Sequence, residues 1–378
     1  MSEHIVIDDK SRTARQELIT WWDQSKLASA HVLVVGAGAL GNEIVKNLAL
    51  VGVGEITIVD MDTIEMSNLS RCIFFRETDD GSLKADVLAR EAQKLNPTIR
   101  THSFTNQIQE MGDAFLRQFN LIIAGLDNRE ARVWLGGAAR RANKVWIDAA
   151  IEGLMGKVQT FVPDGACYAC TLSEADWEQL AHRRACKLLG TEEILAGHTP
   201  TNATTSSIIA GIQTQEAIKY LVELDPSFRA FENKVWRMIG EQMATFVSHV
   251  DMDEYCPLHF DDLSVTSEIS IPNTLTDIWS KASLEKDAVI SFYDDVLLVK
   301  GCTKCGTSPV IGFKDLLKKQ GVCDNCGEER EVDRVSRLVA TDNEASIPLN
   351  PEFWPLSIYI NVKEGEKESR IVMNRRAL

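Results

Sequence analysis

The 378-residue sequence predicts an α/β protein, with a Rossmann-like doubly wound sheet followed by a small β-rich module. Three observations lead to this prediction. Short apolar runs alternate with segments whose apolar residues recur at helical spacing, as in parallel sheets covered by helices. A glycine-rich turn joins the first apolar run to the first helical segment. Beyond residue 285 the pattern becomes β-like around two Cys-x-x-Cys pairs.

Strands and helices alternate through the first 150 residues. Apolar runs that are typical of buried parallel strands occupy 31–35, 55–60, 120–125 and 144–149. Helical periodicity occupies 41–50, 84–96 and 129–143. Because crossovers between parallel strands are right-handed, this alternation builds one doubly wound sheet.

The rest of the chain divides where the pattern changes. A β-like segment, a polar irregular connection, a strong helix and another strand-like segment follow in turn, at 156–162, 171–205, 206–224 and 244–250. A connection of that length in a compact domain is usually functional or disordered. We therefore expect a helical arm at 1–30, an α/β domain at 31–263 that includes the loop 171–205, a linker at 264–284 and a C-terminal module at 285–378.

Composition excludes several classes of function. The formal net charge of −15 disfavours nucleic acid as a partner. No apolar run approaches the roughly 20 residues of a membrane span, so no membrane partner is expected. The N-terminus lacks a basic region followed by an apolar one, which argues against a signal peptide. A cytoplasmic enzyme is the expectation.

The glycine-rich turn runs from Gly36 to Gly41. Gly36 and Gly38 allow a tight turn, and Gly41 lets the helix pack closely on the sheet. The helix N-terminus then offers unpaired N–H groups and a partial positive charge to a phosphate. Asp60, 19 residues beyond Gly41, lies where a carboxylate accepts hydrogen bonds from a ribose. These two features alone leave a site for NAD open.

Polar residues after the second predicted strand favour Mg-ATP over NAD. Asn68 and Arg71 lie in the following loop, and Lys84 opens the next helix. Arginine and lysine supply positive charge for phosphate oxygens. Asp127 comes just after a buried strand, at the edge where open α/β sheets bind ligands, and a carboxylate there is a natural Mg²⁺ ligand. A dehydrogenase needs no such set.

At these residues the sequence resembles the E1-like activating enzymes of ubiquitin and ubiquitin-like proteins, a superfamily shared with the bacterial sulfur-carrier adenylyltransferases. The similar segments are 59–71, 119–127, 147–150 and 210–221, within about residues 10–260. The resemblance implies an E1-like adenylation domain, which uses ATP to adenylate the C-terminal carboxylate of a protein.

The resemblance also implies a role for each site residue. ATP would be cradled by Gly38, Ala39 and Gly41, its ribose bound by Asp60, its phosphates held by Asn68, Arg71 and Lys84, and Mg²⁺ held by Asp127. Cys72 departs from the family, in which many relatives have glutamine after the arginine. We expect Cys72 to be a packed small residue.

Arg15 bears on the oligomeric state. In the family an arginine of the N-terminal arm reaches across a dimer to the partner's ATP, and Arg15 matches that position by resemblance. Because the arm arginine and the ATP-site residues occur in one chain, a homodimer with two ATP sites is expected. The alternative is that Arg12 and Arg15 are ordinary charges on an amphipathic helix.

Two groups of zinc ligands are expected among the nine cysteines. In the family a Cys-x-x-Cys pair binds structural zinc with a second pair after the crossover helix. Here the first pair is Cys167 and Cys170, and Cys256 with His259 stand in place of the second. The prediction is therefore a Cys3His site, since tetrahedral zinc accepts such a set. The alternative is that His259 lies on the surface and the site is degenerate.

The second group predicts a zinc ribbon in the C-terminal module. Its ligands are two Cys-x-x-Cys pairs separated by 17 residues, namely Cys302, Cys305, Cys323 and Cys326. A glycine, Gly306 or Gly327, follows each pair. No βαβ pattern surrounds the pairs, which disfavours a redox role, and the ribbon has no functional assignment from the resemblance.

Cys186 remains after the zinc ligands and Cys72 are set aside. It lies in the polar loop directly after Arg183 and Arg184, and neighbouring cations lower the pKa of a thiol. In E1 enzymes the thioester-forming cysteine lies in this crossover loop. Cys186 is therefore the predicted nucleophile. The alternative is a free cysteine, because some sulfur-carrier adenylyltransferases form no thioester for ligation.

Together these expectations describe an enzyme that activates a ubiquitin-like protein ending in glycine. ATP would adenylate the terminal carboxylate of that protein. Charge on the phosphates would be stabilised by Arg15, Arg71 and Lys84. Cys186 would then accept the acyl group as a thioester, and an E2-like protein would receive the acyl group from Cys186. Three alternatives stay open: a sulfur-carrier adenylyltransferase without a conjugation thioester, a noncatalytic E1 partner subunit, and an NAD oxidoreductase.

Overall fold

The computed structural model describes residues 11–185, 200–229, 231–259 and 263–375. Its α-helices are Gln24–Ser29 (α1), Ala39–Val51 (α2), Lys84–Leu95 (α3), Ile108–Met111 (α4), Arg129–Arg141 (α5), Glu174–Ala185 (α6), Ala203–Leu221 (α7) and Asp277–Lys281 (α8). None of these described helices is long and apolar enough to span a bilayer.

Its strands are His31–Val35 (β1), Glu55–Val59 (β2), Arg100–Phe104 (β3), Leu121–Ala124 (β4), Trp146–Glu152 (β5), Met155–Phe161 (β6), Lys234–Ile239 (β7), Ala244–His249 (β8), Val265–Ser270 (β9), Val289–Val299 (β10), Val310–Phe313 (β11), Val332–Leu338 (β12), Ser357–Glu364 (β13) and Lys367–Asn374 (β14). The described residues group into two compact units. Of the described residues, the N-terminal unit contains 11–108, 116–172, 200–229 and 231–259, and the C-terminal unit contains 109–115, 173–185 and 263–375.

The N-terminal unit contains an eight-stranded sheet in the order β3-β2-β1-β4-β5-β6-β7-β8. Strands β3, β2, β1, β4 and β5 are mutually parallel. Strands β6, β7 and β8 continue the sheet in antiparallel fashion. Helix α7 contacts α2 as well as β4, β5 and β6, and these elements enclose the apolar core. The predicted Rossmann-like α/β fold is confirmed.

Two strands of this sheet carry weak sequence signals. The sequence Arg-Thr-His-Ser-Phe of β3 lies at the sheet edge and has no fully buried residue, so no apolar run marks it. Strand β7 has the sequence Lys-Val-Trp-Arg-Met-Ile, in which two cations interrupt the apolar residues, so neither an unbroken apolar run nor a regular alternation marks it. By contrast, β1, β2 and β4 are almost wholly buried, and their apolar runs predicted them.

The C-terminal unit contains a six-stranded sheet in the order β11-β10-β13-β14-β9, with β12 also paired to β10. Its core lies between the sheet and α8, and Trp354 is fully buried in it. The segment 264–284, predicted as a linker, instead contains β9 and α8. Leu275 and Ile278 there are fully buried, but few apolar side chains mark β9, whose sequence is mostly polar.

The predicted irregular connection 171–205 also contains regular structure. Helix α6 begins after Ser173, whose hydroxyl accepts from the Asp176 N–H while the Asp176 carboxylate accepts from the Ser173 N–H. This reciprocal pair is a capping box. In the arm, a 3-10 turn at Gln16–Leu18 and α1 are the described helical elements.

Candidate active site

The glycine turn connects β1 to α2 and requires glycine at two positions, Gly36 and Gly41. Gly36 has a φ of +96°, and a Cβ there would lie 2.7 Å from the Gly125 carbonyl oxygen. A Cβ on Gly41 would lie 1.9 Å from the Gly36 oxygen. Gly38 caps α2 without a side-chain partner, and no atom lies within 4 Å of where its Cβ would be. The first N–H groups of α2 therefore remain available to an anion.

Asp60 ties the turn to the end of β2. Its Oδ2 accepts from the Ala37 N–H at 2.6 Å, and its Oδ1 accepts from the Asp62 N–H at 2.8 Å. Burial raises the pKa of Asp60, while these two hydrogen bonds and the nearby Lys84 act in the opposite direction. The carboxylate thus lies beside the glycine turn, as the sequence predicted for a ribose ligand.

Lys84 is the first residue of α3 and points to the same loop. Its ammonium donates to Asp62 Oδ2 at 2.9 Å, and its side chain is 13% exposed. Arg71 is partly exposed, and its guanidinium donates to the Ser67 carbonyl at 2.8 Å. Lys84 is therefore held by an ion pair with Asp62, and Arg71 by a backbone carbonyl.

Asn68 is engaged in local structure. Its Oδ1 accepts from the Glu65 N–H at 3.1 Å, and its Nδ2 lies 3.4 Å from Ser67 Oγ. It is 7% exposed and forms a capping box with Glu65 at the start of the 3-10 turn Met66–Ser70. A phosphate contact from this residue stays a prediction.

Asp127 lies where the sequence placed it, exposed and just beyond the end of β4. Asn128 follows and caps α5 by accepting from the Ala131 N–H at 2.7 Å. The buried Arg132 of α5 donates to the Leu126 carbonyl and lies 3.2 Å from the Asp148 carboxylate. Arg132 therefore fixes the loop that presents Asp127.

Two buried amides that were not predicted support the site. Asn42 of α2 donates to the carbonyls of Ala37 and Gly38 and accepts from the Phe74 N–H. Gln213 of α7 donates to the carbonyls of Ala124 and Ile147 at 2.8 and 2.9 Å. For Gln213 the available signal was an amide between two apolar residues, Ile209 and Ala217, one turn away on either side of it in α7.

Three other predicted residues have different outcomes. Cys72 is 3% exposed, and burial raises the pKa of its thiol to about 11, which confirms a packed residue. Arg15 is exposed at the start of the 3-10 turn in the arm, and its role across a dimer stays a prediction. Cys186 lies outside the described residues.

The four predicted ligands of the first zinc site come together in the N-terminal unit. Cys167 Sγ lies 3.8 Å from Cys170 Sγ and 3.4 Å from Cys256 Sγ, and Cys170 Sγ lies 3.3 Å from His259 Nε2. All four ligand atoms lie within 4.8 Å of one another. A tetrahedral zinc with Zn–S bonds of about 2.3 Å places sulfurs about 3.8 Å apart, so this donor set fits zinc.

The second cysteine cluster lies in the C-terminal unit. Cys302 Sγ and Cys326 Sγ are 3.6 Å apart, and Cys305 Sγ and Cys323 Sγ are 3.4 Å apart. The N–H groups of the following glycines donate back to the carbonyls of Cys302 and Cys323, and both glycines have positive φ. Four thiols in this knuckle geometry could hold a tetrahedral zinc.

Comparison with known proteins adds sequence relatives. The model of the ThiF family matches residues 11–258. The chain is 39% identical over 155 residues to a Nedd8-activating enzyme E1 catalytic subunit of Drosophila melanogaster, across 37% of this chain and 34% of that protein. It is 28% identical over 268 residues to a SAMP-activating enzyme E1 of Haloferax volcanii, across 69% of this chain and 95% of that protein.

A comparison of folds gives a consistent result. The crystal structure of E. coli MccB with ATP matches with a TM-score of 0.55 at 22% identity, across 66% of this chain and 74% of that chain. In the sequence comparison, the match covers only about a third of the length of the Nedd8-activating subunit of Drosophila melanogaster.

Proposed function

The chain belongs to the ThiF family, which confirms the E1-like resemblance, and from this premise we propose that it activates a ubiquitin-like protein with ATP. The observation that carries the proposal is the arrangement at one edge of the sheet. The N-terminus of α2, which has no side-chain cap, the Asp60 carboxylate, the Lys84 ammonium and the exposed Asp127 all follow the carboxyl ends of parallel strands. Open α/β sheets bind ligands at that edge.

The first proposed step is adenylation. A carboxylate oxygen at the C-terminal glycine of the carrier attacks the α-phosphorus of ATP, the bond to the β-phosphate oxygen breaks, and pyrophosphate leaves. Positive charge near the phosphates stabilises the charge that moves onto the leaving group. Arg71 and Lys84 supply it, and Arg15 of a second protomer supplies more in the proposed homodimer.

Mg²⁺ would be held by Asp127, whose exposed carboxylate is a suitable oxygen ligand, and would neutralise phosphate charge. Neighbouring residues of the chain hold Asp127 in position. Arg132 holds the Leu126 carbonyl, and Asn128 caps α5, so the residues on both sides of Asp127 are fixed. A fixed ligand loses little entropy when the metal nucleotide binds.

The second proposed step is thioester formation on Cys186. The thiolate attacks the acyl carbon, the bond from that carbon to the AMP phosphate oxygen breaks, AMP leaves, and the thiol proton passes to solvent. An E2-like protein then receives the acyl group by thioester exchange. The two zinc sites, Cys167, Cys170, Cys256 and His259 in one and Cys302, Cys305, Cys323 and Cys326 in the other, are proposed as structural.

The test combines pyrophosphate release with gel mobility. The full chain is incubated with Mg-ATP and a panel of ubiquitin-fold proteins that end in Gly-Gly. We expect pyrophosphate release and an adduct on nonreducing gels that a reductant removes. Cys186→Ala should lose the adduct and keep pyrophosphate release, whereas the control Cys72→Ser should keep both, because Cys72 is buried as a neutral thiol.

The same assay separates the competing functions. Pyrophosphate release without a reducible adduct on any carrier would favour a sulfur-carrier adenylyltransferase. No release with any carrier would favour a noncatalytic partner subunit. Displacement of bound ATP by NAD at similar concentration would favour an oxidoreductase.

A further inference from the structure

A row of paired residues crosses the antiparallel half of the N-terminal sheet. In register, Ala150 of β5 pairs with Lys157 of β6, Lys157 pairs with Arg237 of β7, and Arg237 pairs with Phe246 of β8. Residues directly opposite each other in a sheet share a face. Lys157, Arg237 and Phe246 therefore lie side by side, with two cations at the centre of the row.

This row lies on the face opposite α7. A Cβ on Gly156 would lie 2.3 Å from Ile209 of α7, so Gly156 faces that helix. Lys157 is the next residue along β6, and successive residues of a strand point to opposite faces. The cationic row thus lies on the face that α7 leaves uncovered.

The two cations have no acidic partner in the described part of the chain. Arg237 donates to Ser248 Oγ and lies 5.8 Å from the centre of the Phe246 ring, and Lys157 lies 6.0 Å from the centre of the Tyr168 ring. Asp148, the acid whose charge acts on Lys157, is already paired with Arg132 at 3.2 Å.

The surroundings of Lys157 favour an added anion. Burial lowers the pKa of its ammonium, Asp148 partly opposes this, and Arg132, Arg237 and Arg129 lower the pKa further. A partly buried cation among other cations gains more from a carboxylate than an exposed one does, because water screens it less.

Apolar side chains border the row. Met155 of β6 pairs with Ile239 of β7 two residues further along, on the same face. Met155 and Phe246 are 44% and 46% exposed. Two cations between exposed apolar side chains suit a peptide that carries both an acidic and an apolar side chain.

The position of the row disfavours the triphosphate as its ligand. Strands β4 and β5 separate β1, which carries the glycine turn, from β6. At about 4.8 Å per strand, Lys157 lies about 14 Å across the sheet from that turn. An extended peptide spans this distance in about four residues.

We propose that Lys157 and Arg237 select carrier proteins whose C-terminal tail has an acidic side chain about four residues before the terminal glycine. The inference rests on the proposed function, because it needs a tail whose carboxylate reaches the ATP site. The inference specifies the charge of the carrier's C-terminal tail. The adenylation reaction itself requires only the terminal carboxylate and does not determine that charge.

The test measures binding of three fluorescein-labelled heptapeptides ending in Gly-Gly. They differ only at the residue four positions before the terminal glycine, the fifth from the C-terminus, which is Glu, Gln or Arg. By fluorescence anisotropy with the full chain, the Glu peptide should bind about tenfold more tightly than the Gln peptide, as expected for a charge-assisted hydrogen bond, and the Arg peptide more weakly than either. Raising the salt concentration should reduce the preference.

Neutral substitutions identify the residues responsible. Lys157→Gln with Arg237→Gln should reduce the preference for Glu over Gln to less than twofold without lowering the thermal midpoint by more than a few degrees. Lys234→Glu is the control with altered charge, since Lys234 is exposed on β7 and lies three residues from Arg237, on the other face. It should keep the preference.

Equal binding of the three peptides, or an unchanged preference in the double variant, would overturn the inference. So would a double variant that weakens ATP binding while keeping its peptide preference, because the row would then serve the nucleotide. ATP–pyrophosphate exchange with whole carrier proteins reads the proposed function separately. If exchange occurs but the peptides bind equally, only the selective role of Lys157 and Arg237 is rejected. If the peptides bind with the expected preference but no exchange occurs, only the proposed adenylation is rejected.

Discussion

The Lys84 ammonium donates a hydrogen bond of 2.9 Å to the carboxylate of Asp62. The Asp62 N–H in turn donates to Asp60, and Asp60 accepts from the Ala37 N–H of the glycine turn. Burial acts to lower the pKa of Lys84, but the hydrogen bond to Asp62 and the charges of Asp60 and Asp62 raise the pKa above its usual value. Asp62 therefore keeps Lys84 charged and aimed at the loop.

Asp62→Asn should impair catalysis most at alkaline pH. Without the Asp62 charge, burial lowers the pKa of Lys84, so its charge is lost at a lower pH than in the native enzyme. The alkaline limb of kcat/KM for ATP–pyrophosphate exchange should shift to lower pH, with about a tenfold loss on that limb. The control Asp80→Asn changes an exposed carboxylate in a nearby turn. Superimposable profiles for Asp62→Asn and native enzyme would show that Asp62 does not act through Lys84.

The glycines of the turn should separate folding from nucleotide binding. Gly41→Ala places a Cβ 1.9 Å from the Gly36 oxygen, so α2 must move and the protein should lose about 1–3 kcal/mol of stability. Gly38→Ala meets no atom within 4 Å and should leave the thermal midpoint nearly unchanged. It should still weaken ATP binding, because the Cβ occupies the space open to phosphate. Equal thermal midpoints for the two variants would contradict this assignment.

Metal analysis should find two zinc ions per chain. Cys170→Ser and Cys302→Ser should each retain one, and the control Cys72→Ser should retain both. Each cluster has two buried ligands, but Cys305 is exposed whereas Cys170 and His259 are only partly exposed, so a chelator should remove the zinc of the C-terminal cluster first. A single zinc in the native chain that survives Cys170→Ser would show that the site containing His259 is degenerate.

The main features of the proposed ATP site, at the carboxyl ends of the parallel strands, could be predicted because its sequence signals are local. Gly36, Gly41 and Asp60 are required by a tight turn and a close helix–sheet approach, so their spacing is visible in one segment. The buried strands of the parallel half are likewise uninterrupted apolar runs.

The residues that support the proposed ATP site could not be predicted in the same way. Gln213 holds β4 and β5 from a helix almost 90 residues away, and its partners are backbone carbonyls that have no sequence signal. The row of Lys157 and Arg237 exists only through the pairing of β6 with β7, and β7 itself was not predicted. The pairing of segments that are distant in the sequence therefore determines which of these side chains lie together, and no local sequence pattern specifies that pairing.

Arg132 should prove necessary for nucleotide binding as well as for stability. Arg132→Met leaves the fully buried Asp148 carboxylate unpaired, which should cost about 3–5 kcal/mol and lower the thermal midpoint clearly. Arg132→Met with Asp148→Leu removes both charges and should recover most of that stability. It does not restore the hydrogen bond to the Leu126 carbonyl, so the loop carrying Asp127 stays less fixed and Mg-ATP should still bind more weakly. Isothermal titration with a nonhydrolysable ATP analogue, alongside thermal unfolding, separates the two effects. A double variant with native affinity would show that the loop is positioned without Arg132.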